Sequence, residues 1–203
     1  MTKRILLFQG DSITDANRDR SNPRHLGYGY VPHIQAFYPD DVVYNRGVSG
    51  DRTVELLERW QKDCLDLNPD ILSIYVGVND VWHKHKWNKP MTLDLFEANY
   101  RKLIDSIKRH NPNVKILLIS PFVFPFGDFQ PHWRPDLDGE IAIIERLAGE
   151  YGALHLPLEK ILFEQAKSIP MKELADDAIH PTPLGHRIIA EAIREKIDRF
   201  DSK

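Results

Sequence analysis

Short, nearly unbroken apolar runs punctuate the chain at residues 5–8, 42–44, 71–76, 115–119 and 153–156. Continuous hydrophobicity over so few positions marks strands buried on both faces, as in a parallel sheet; one wet face would give alternation. Between the runs the apolar period lengthens to three and four. Helices are predicted over 30–37, from Thr53 through Val54, Leu57 and Trp60 to Cys64, and over 95–110 on Phe96, Tyr100, Leu103 and Ile107. Further helices are predicted over 141–151, 161–167 and 184–200, the last carrying Ile188, Ile189, Ala192, Ile193 and Ile197. Pro39, Pro112 and Gly152 punctuate the ends of three of them. Strand alternating with helix predicts βαβ units and a three-layer α/β fold around a parallel sheet. Two connections are longer than usual, 15–29 and 122–139, and long loops at strand ends are where such folds build sites.

The 203 residues fit one domain, residues 1–203, with no repeat or linker. Net charge is −3, which gives no electrostatic case for nucleic acid or an anionic membrane. Arg18, Arg20 and Arg24 read as a solvated loop, with an acidic group near the site as the sharper alternative. Cys64 is the one cysteine, so no internal disulfide forms, and its place in a helical pattern reads as core. The five apolar-rich positions after the N-terminal Met-Thr-Lys-Arg are too few for a signal core or a membrane span, and the chain reads as cytoplasmic.

Chemistry concentrates at the carboxyl ends of the predicted strands. Ser12, in Gly10-Asp11-Ser12, follows the first strand on a turn leading away from the sheet; alone, the stretch reads more readily as a turn cap than as a nucleophile. Asp177 and His180 stand three apart, a spacing that lets the carboxylate hold Nδ1–H while Nε2 stays free for a serine. Pro181 keeps that histidine off the helix that follows. The alternatives are surface residues or a metal pair, for which no third ligand stands at matching spacing. Asn79 follows the third strand and offers an amide donor, and Gly50 lies beyond the second, where a missing Cβ lets an N–H approach substrate. His83 and His85 read as an exposed loop pair.

Together these stretches resemble the SGNH hydrolases, also called GDSL-type esterases and lipases. Residues 10–14 match the first block, 45–53 the second, 77–80 the third and 177–180 the last. The resemblance implies a flavodoxin-like α/β/α sandwich with a five-stranded parallel sheet in the order 2-1-3-4-5, and neither metal nor organic cofactor. It implies Ser12 as nucleophile, Asp177 and His180 as its partners, and Ser12, Gly50 and Asn79 as the oxyanion donors. The Gly-x-Ser-x-Gly elbow of α/β-hydrolases is absent from the chain.

For substrate, Asp11, Trp82 and Trp133 are the candidate contacts, with Trp87 another aromatic in a predicted loop. Aromatic faces beside polar groups suit a sugar, and they suit local packing equally. Gly27-Tyr-Gly-Tyr-Val and Val78-Asn-Asp-Val-Trp82 look like the branch containing intracellular acetylxylan esterases, which implies a small acyl, chiefly acetyl, ester of a sugar. A lysophospholipase or thioesterase would need a longer groove, for which Phe122, Phe124, Phe126 and Phe129 are candidates. A non-catalytic sugar-binding module is the remaining alternative. The loop aromatics also raise a homo-oligomer as a partner expectation.

Overall fold

The computed structural model describes residues 3–202. Its strands are β1 (Ile5–Gly10), β2 (Val42–Asn45), β3 (Ile71–Tyr75), β4 (Lys115–Ile119) and β5 (Leu154–Leu156). They form one parallel sheet in the order β2-β1-β3-β4-β5. The five runs read from the sequence are these strands, and the order is the one the resemblance implied.

Strand residues alternate between two cores. Leu6 and Phe8 of β1, Tyr75 of β3 and Leu117 and Ile119 of β4 face a core closed by α2 (Val31–Phe37) and α10 (Pro183–Asp201), through Tyr30, Ile34, Ile189, Ile193 and Ile197. Leu7, Leu72, Ile74, Ile116 and Leu118 face the other, closed by α3 (Thr53–Glu58), α4 (Trp60–Asp63), α6 (Leu93–His110) and α7 (Arg134–Tyr151). Both faces are dry, which is why the strands read as continuous apolar runs.

Three differences from the sequence expectation stand out. The helix expected from Thr53 to Cys64 breaks at Arg59, whose backbone leaves the helical region (φ −101°, ψ 3°). Its side chain there reaches back to Asp51, Gln9 and the carbonyls of Gly10 and Arg46. A helix the sequence did not predict, α5 (Val78–Trp87), follows β3; Asn, Asp, Trp and His at most of its positions are indifferent helix formers. The loop expected over 122–139 is shorter, because α7 begins at Arg134 with Pro135 in its first turn. Gly139 hides within α7 because Leu93 packs where its Cβ would be.

The chain runs from β1 outward to β2, then crosses back to β3 on the other side of β1. The carboxyl ends of β1 and β3 flank that switch point, where open α/β sheets place their ligands.

Candidate active site

Ser12 opens α1 (Ser12–Asp15), one turn that begins as β1 ends. Gly10 must be glycine, since a Cβ would stand 2.2 Å from Thr14 Oγ1 and 2.5 Å from the Tyr75 carbonyl. Asp11 caps the turn by accepting from the Ile13 N–H at 3.0 Å. The cap holds Ser12 in place, and as the first helical residue its N–H has no intrahelical acceptor.

His180 and Asp177 arrive on the loop before α10. Antiparallel bridging of Ala175 to Pro181 pinches this loop. Thr182 caps α10 by accepting from Gly185 N–H. Ala178 between them takes φ +81°, an unfavourable conformation for alanine, held by burial and by its carbonyl accepting from Phe124 N–H. The tight turn lets Asp177 Oδ1 accept from both Ile179 N–H (2.9 Å) and His180 N–H (2.7 Å). Its Oδ2 lies 2.6 Å from His180 Nδ1, and His180 Nε2 lies 2.9 Å from Ser12 Oγ. Partial burial opposes ionisation of Asp177, but these hydrogen bonds outweigh it and hold its pKa below the usual carboxylate value. A charged carboxylate thus fixes the ring with Nε2 toward the serine.

Gly50 and Asn79 close the opposite wall. Gly50 adopts φ +87° in open space, so glycine is required here for conformation rather than for room. Its N–H donates to no group among the described residues. Asn79, in the first turn of α5, donates one amide hydrogen to the Asp51 carbonyl at 3.1 Å and keeps the other. Asp80 beside it accepts from the backbone N–H and hydroxyl of Thr53, tying α5 to α3. Burial pushes the Asp80 carboxyl up to about 7 against those bonds.

Two hollows meet at the serine. One, of about 520 Å³, is lined by Gly50, Asn79, Trp82, Trp87 and Asp128. The other, of about 730 Å³, is lined by Asp15, Arg18, Arg20, Tyr28 and His186. Ser12, Ser49 and His180 line both.

Several expected contacts move. Asp11 is buried with its carboxyl turned to Ile13, so it supports the turn and does not face substrate. Trp133 is only 4% exposed and packs edge-on against Trp82 and Phe129, so it buttresses Trp82 from behind. The cleft aromatics are Trp82 and Trp87. His83 and His85 belong to α5 instead of an exposed loop: His83 is buried and pushed down to about 4, chiefly by burial. His85 stacks on Trp133 and bonds Asp136 at 2.6 Å. Phe122 and Phe124 lie in the core, and the cavity that Phe124, Phe126 and Phe129 do line is not bounded by Ser12. The Phe side chains named for the alternative long acyl groove therefore do not line the hollows at the serine. Arg18, expected in a solvated loop, is buried, with Nε donating to the Gly47 carbonyl at 2.9 Å. Arg59 was not singled out from sequence; its position six residues past Thr53 in a helical pattern hid it. Among the described residues no three His, Cys, Asp or Glu converge to hold a metal ion, and no helix is long and apolar enough to cross a membrane.

A serine, a histidine and an aspartate linked by hydrogen bonds at the switch point of a flavodoxin-like sheet define a serine hydrolase of the Ser-His-Asp type. Residues 8–188 match the model of the GDSL-like lipase/acylhydrolase family, and the chain belongs to that family. It is a carboxylic ester hydrolase. An acetylxylan esterase of Geobacillus stearothermophilus is 35% identical over 95% of this chain and 93% of its own. The crystal structure of Axe2, an acetylxylan esterase from that organism, superposes with a TM-score of 0.84 at 34% identity, covering 96% of this chain and 94% of that one. Catalytic mutants of Axe2 replace a serine, an aspartate and a histidine, the last two spaced as Asp177 and His180 are. A GDSL-like lipase structure from Parabacteroides merdae has a TM-score of 0.89 at 32% identity, with 97% of both chains covered.

Proposed function

We propose that the protein hydrolyses short-chain acyl esters, chiefly acetyl esters of sugars such as xylo-oligosaccharides. The observation that carries this reading is the 2.9 Å contact between Ser12 Oγ and His180 Nε2 beside Gly50 and Asn79. Ser12 Oγ attacks the ester carbonyl while His180 Nε2 takes its proton. The oxyanion lies against the N–H groups of Ser12 and Gly50 and the free amide hydrogen of Asn79. His180 then protonates the departing sugar hydroxyl. Water, losing its proton to His180, attacks the acyl-enzyme, and the acid leaves as Ser12 recovers its hydrogen.

The sugar assignment draws on Trp82 and Trp87 in the cleft, whose faces suit the apolar side of a pyranose, and on likeness to acetylxylan esterases. The cavity that Phe124, Phe126 and Phe129 line is not bounded by Ser12, which weighs against those side chains holding a long acyl chain. Acetate release from acetylated xylo-oligosaccharides tests the reading. Turnover well above that on p-nitrophenyl acetate, judged by kcat/KM, supports it. Turnover of the nitrophenyl ester alone leaves a short-acyl esterase of another substrate.

A further inference from the structure

The larger of the two hollows at Ser12 is lined by charge the ester chemistry does not use. Arg18 and Arg20 both border it, beside Asp15 and the exposed Tyr28. Their partners can be traced one by one. Asp15 accepts from Arg20, from the Ser49 N–H and from the Arg18 backbone N–H. Asp51 is held by Arg59. Asp63 is shared between Arg59 (3.2 Å) and Arg46 (3.9 Å). Of the four guanidiniums Arg18, Arg20, Arg46 and Arg59, set against these three carboxylates, Arg18 alone makes no ion pair among the described residues.

Arg18 is only 9% exposed, which makes an unpaired charge there costly. Its Nε is spent on the Gly47 carbonyl. The two terminal nitrogens have no protein acceptor among the described residues, yet they are not sealed from water, because the hollow opens onto them. A guanidinium does not shed its proton, so the charge stands. Arg18 borders the same space as the nucleophile, and the terminal nitrogens of a guanidinium form a planar fork whose geometry matches a carboxylate. One guanidinium without a contact ion pair matches a monoanion better than a phosphate dianion.

We propose that the hollow lined by Arg18 and Arg20 binds a carboxylate on the alcohol half of the substrate, so that the preferred ester is an acetylated oligosaccharide bearing a uronic-type acid. This rests on the acetyl-sugar reading and extends it. The neutral part of the chain lies along Trp82 and Trp87, the acetyl group sits at Ser12, and the acidic sugar lies beyond Ser49 and His180. Arg18 is a specificity residue, and the half-exposed Arg20 keeps the Asp15 carboxylate occupied so that it does not pair with Arg18.

The experiment compares acetate release from two acetylated xylo-oligosaccharides of equal length, one carrying a uronic acid and the other its primary amide. The two differ in charge and hardly in shape. The acid is expected to show a kcat/KM about tenfold or more higher, mostly through KM, as a charge-assisted contact implies. Raising salt from low to about 0.5 M is expected to shrink the ratio, since the hollow is open to solvent. Arg18→Gln and, separately, Arg20→Ala should each bring the ratio toward one; Arg20→Ala, at the surface, covers the case in which Arg18→Gln does not fold. Equal kcat/KM for acid and amide overturns the inference and leaves the acetyl-sugar reading intact. If neither oligosaccharide is deacetylated while p-nitrophenyl acetate is cleaved, the sugar reading fails and takes this inference with it.

Discussion

The side-chain amide of Asn79 donates to the main-chain carbonyl of Asp51 at 3.1 Å. That single bond fixes which amide hydrogen remains for substrate and joins the loop after β2 to the helix after β3. Asn79 thus sits beside Gly50 with its orientation set by the protein, the condition that its proposed oxyanion role requires.

Asn79→Ala is expected to lower kcat by about 10²–10³, with KM for p-nitrophenyl acetate changing far less. Steady-state kinetics of the variant check this. A kcat within about threefold of wild type would remove Asn79 from the oxyanion site.

Gly50→Ala tests the donor on the facing side. No atom lies within 4 Å of the added Cβ, so any effect comes from φ +87° alone. The left-handed conformation costs an L-residue about 1–2 kcal/mol. The loop should relax away from that value, carrying the Gly50 N–H out of line. The expected result is a loss of kcat at nearly unchanged KM, with a small drop in the urea midpoint.

Arg59 ties the end of β1 to the loop that carries Gly50, through Gln9 Oε1 and the Gly10 and Arg46 carbonyls as well as Asp51. Arg59→Met leaves the mostly buried Asp51 carboxylate and three acceptors without their donor. A stability loss of about 3 kcal/mol is expected from urea unfolding. Arg59→Lys should recover only part of it, because one ammonium cannot span the same acceptors.

Burial pushes Asp11 up from 3.8 to about 7, only partly opposed by the Ile13 N–H. In the unfolded chain the group titrates near 3.8, so between that value and 7 the folded protein binds a proton the unfolded one has released. Its contribution to stability is complete below about pH 4, falls as pH rises to about 7, and is constant above. Asp80 acts in the same direction. Asp11→Asn keeps an acceptor for Ile13 and removes the titration. Wild type should lose about 2–4 kcal/mol more than Asp11→Asn between pH 4 and pH 8. Parallel stability curves for the two would contradict a buried, neutral Asp11.

The strands were legible because both faces of the sheet are dry, so burial wrote itself into unbroken apolar runs such as Ile5–Phe8. Ser12, Gly50, Asn79, Asp177 and His180 stand in short local patterns, and the fold brings all five to the lining of one hollow. What was hidden depends on the third dimension. Helix α5 carries few strong helix formers and is stabilised by packing and by Asp80 on Thr53, across 27 positions of chain. Trp133 and Trp82 look alike in sequence, and only their mutual packing shows that one lines the cleft and the other supports it. Arg18 read as a loop charge because no pattern reveals that Gly47 will cover it.

The most direct measurement is the initial rate on p-nitrophenyl acetate, butyrate and octanoate, for the wild type and for Ser12→Ala. The account predicts rates that fall steeply with chain length, and a kcat reduced by about 10⁴–10⁶ in the variant. Wild-type preference for octanoate, or an ester hydrolysis that survives loss of the Ser12 hydroxyl, would contradict it.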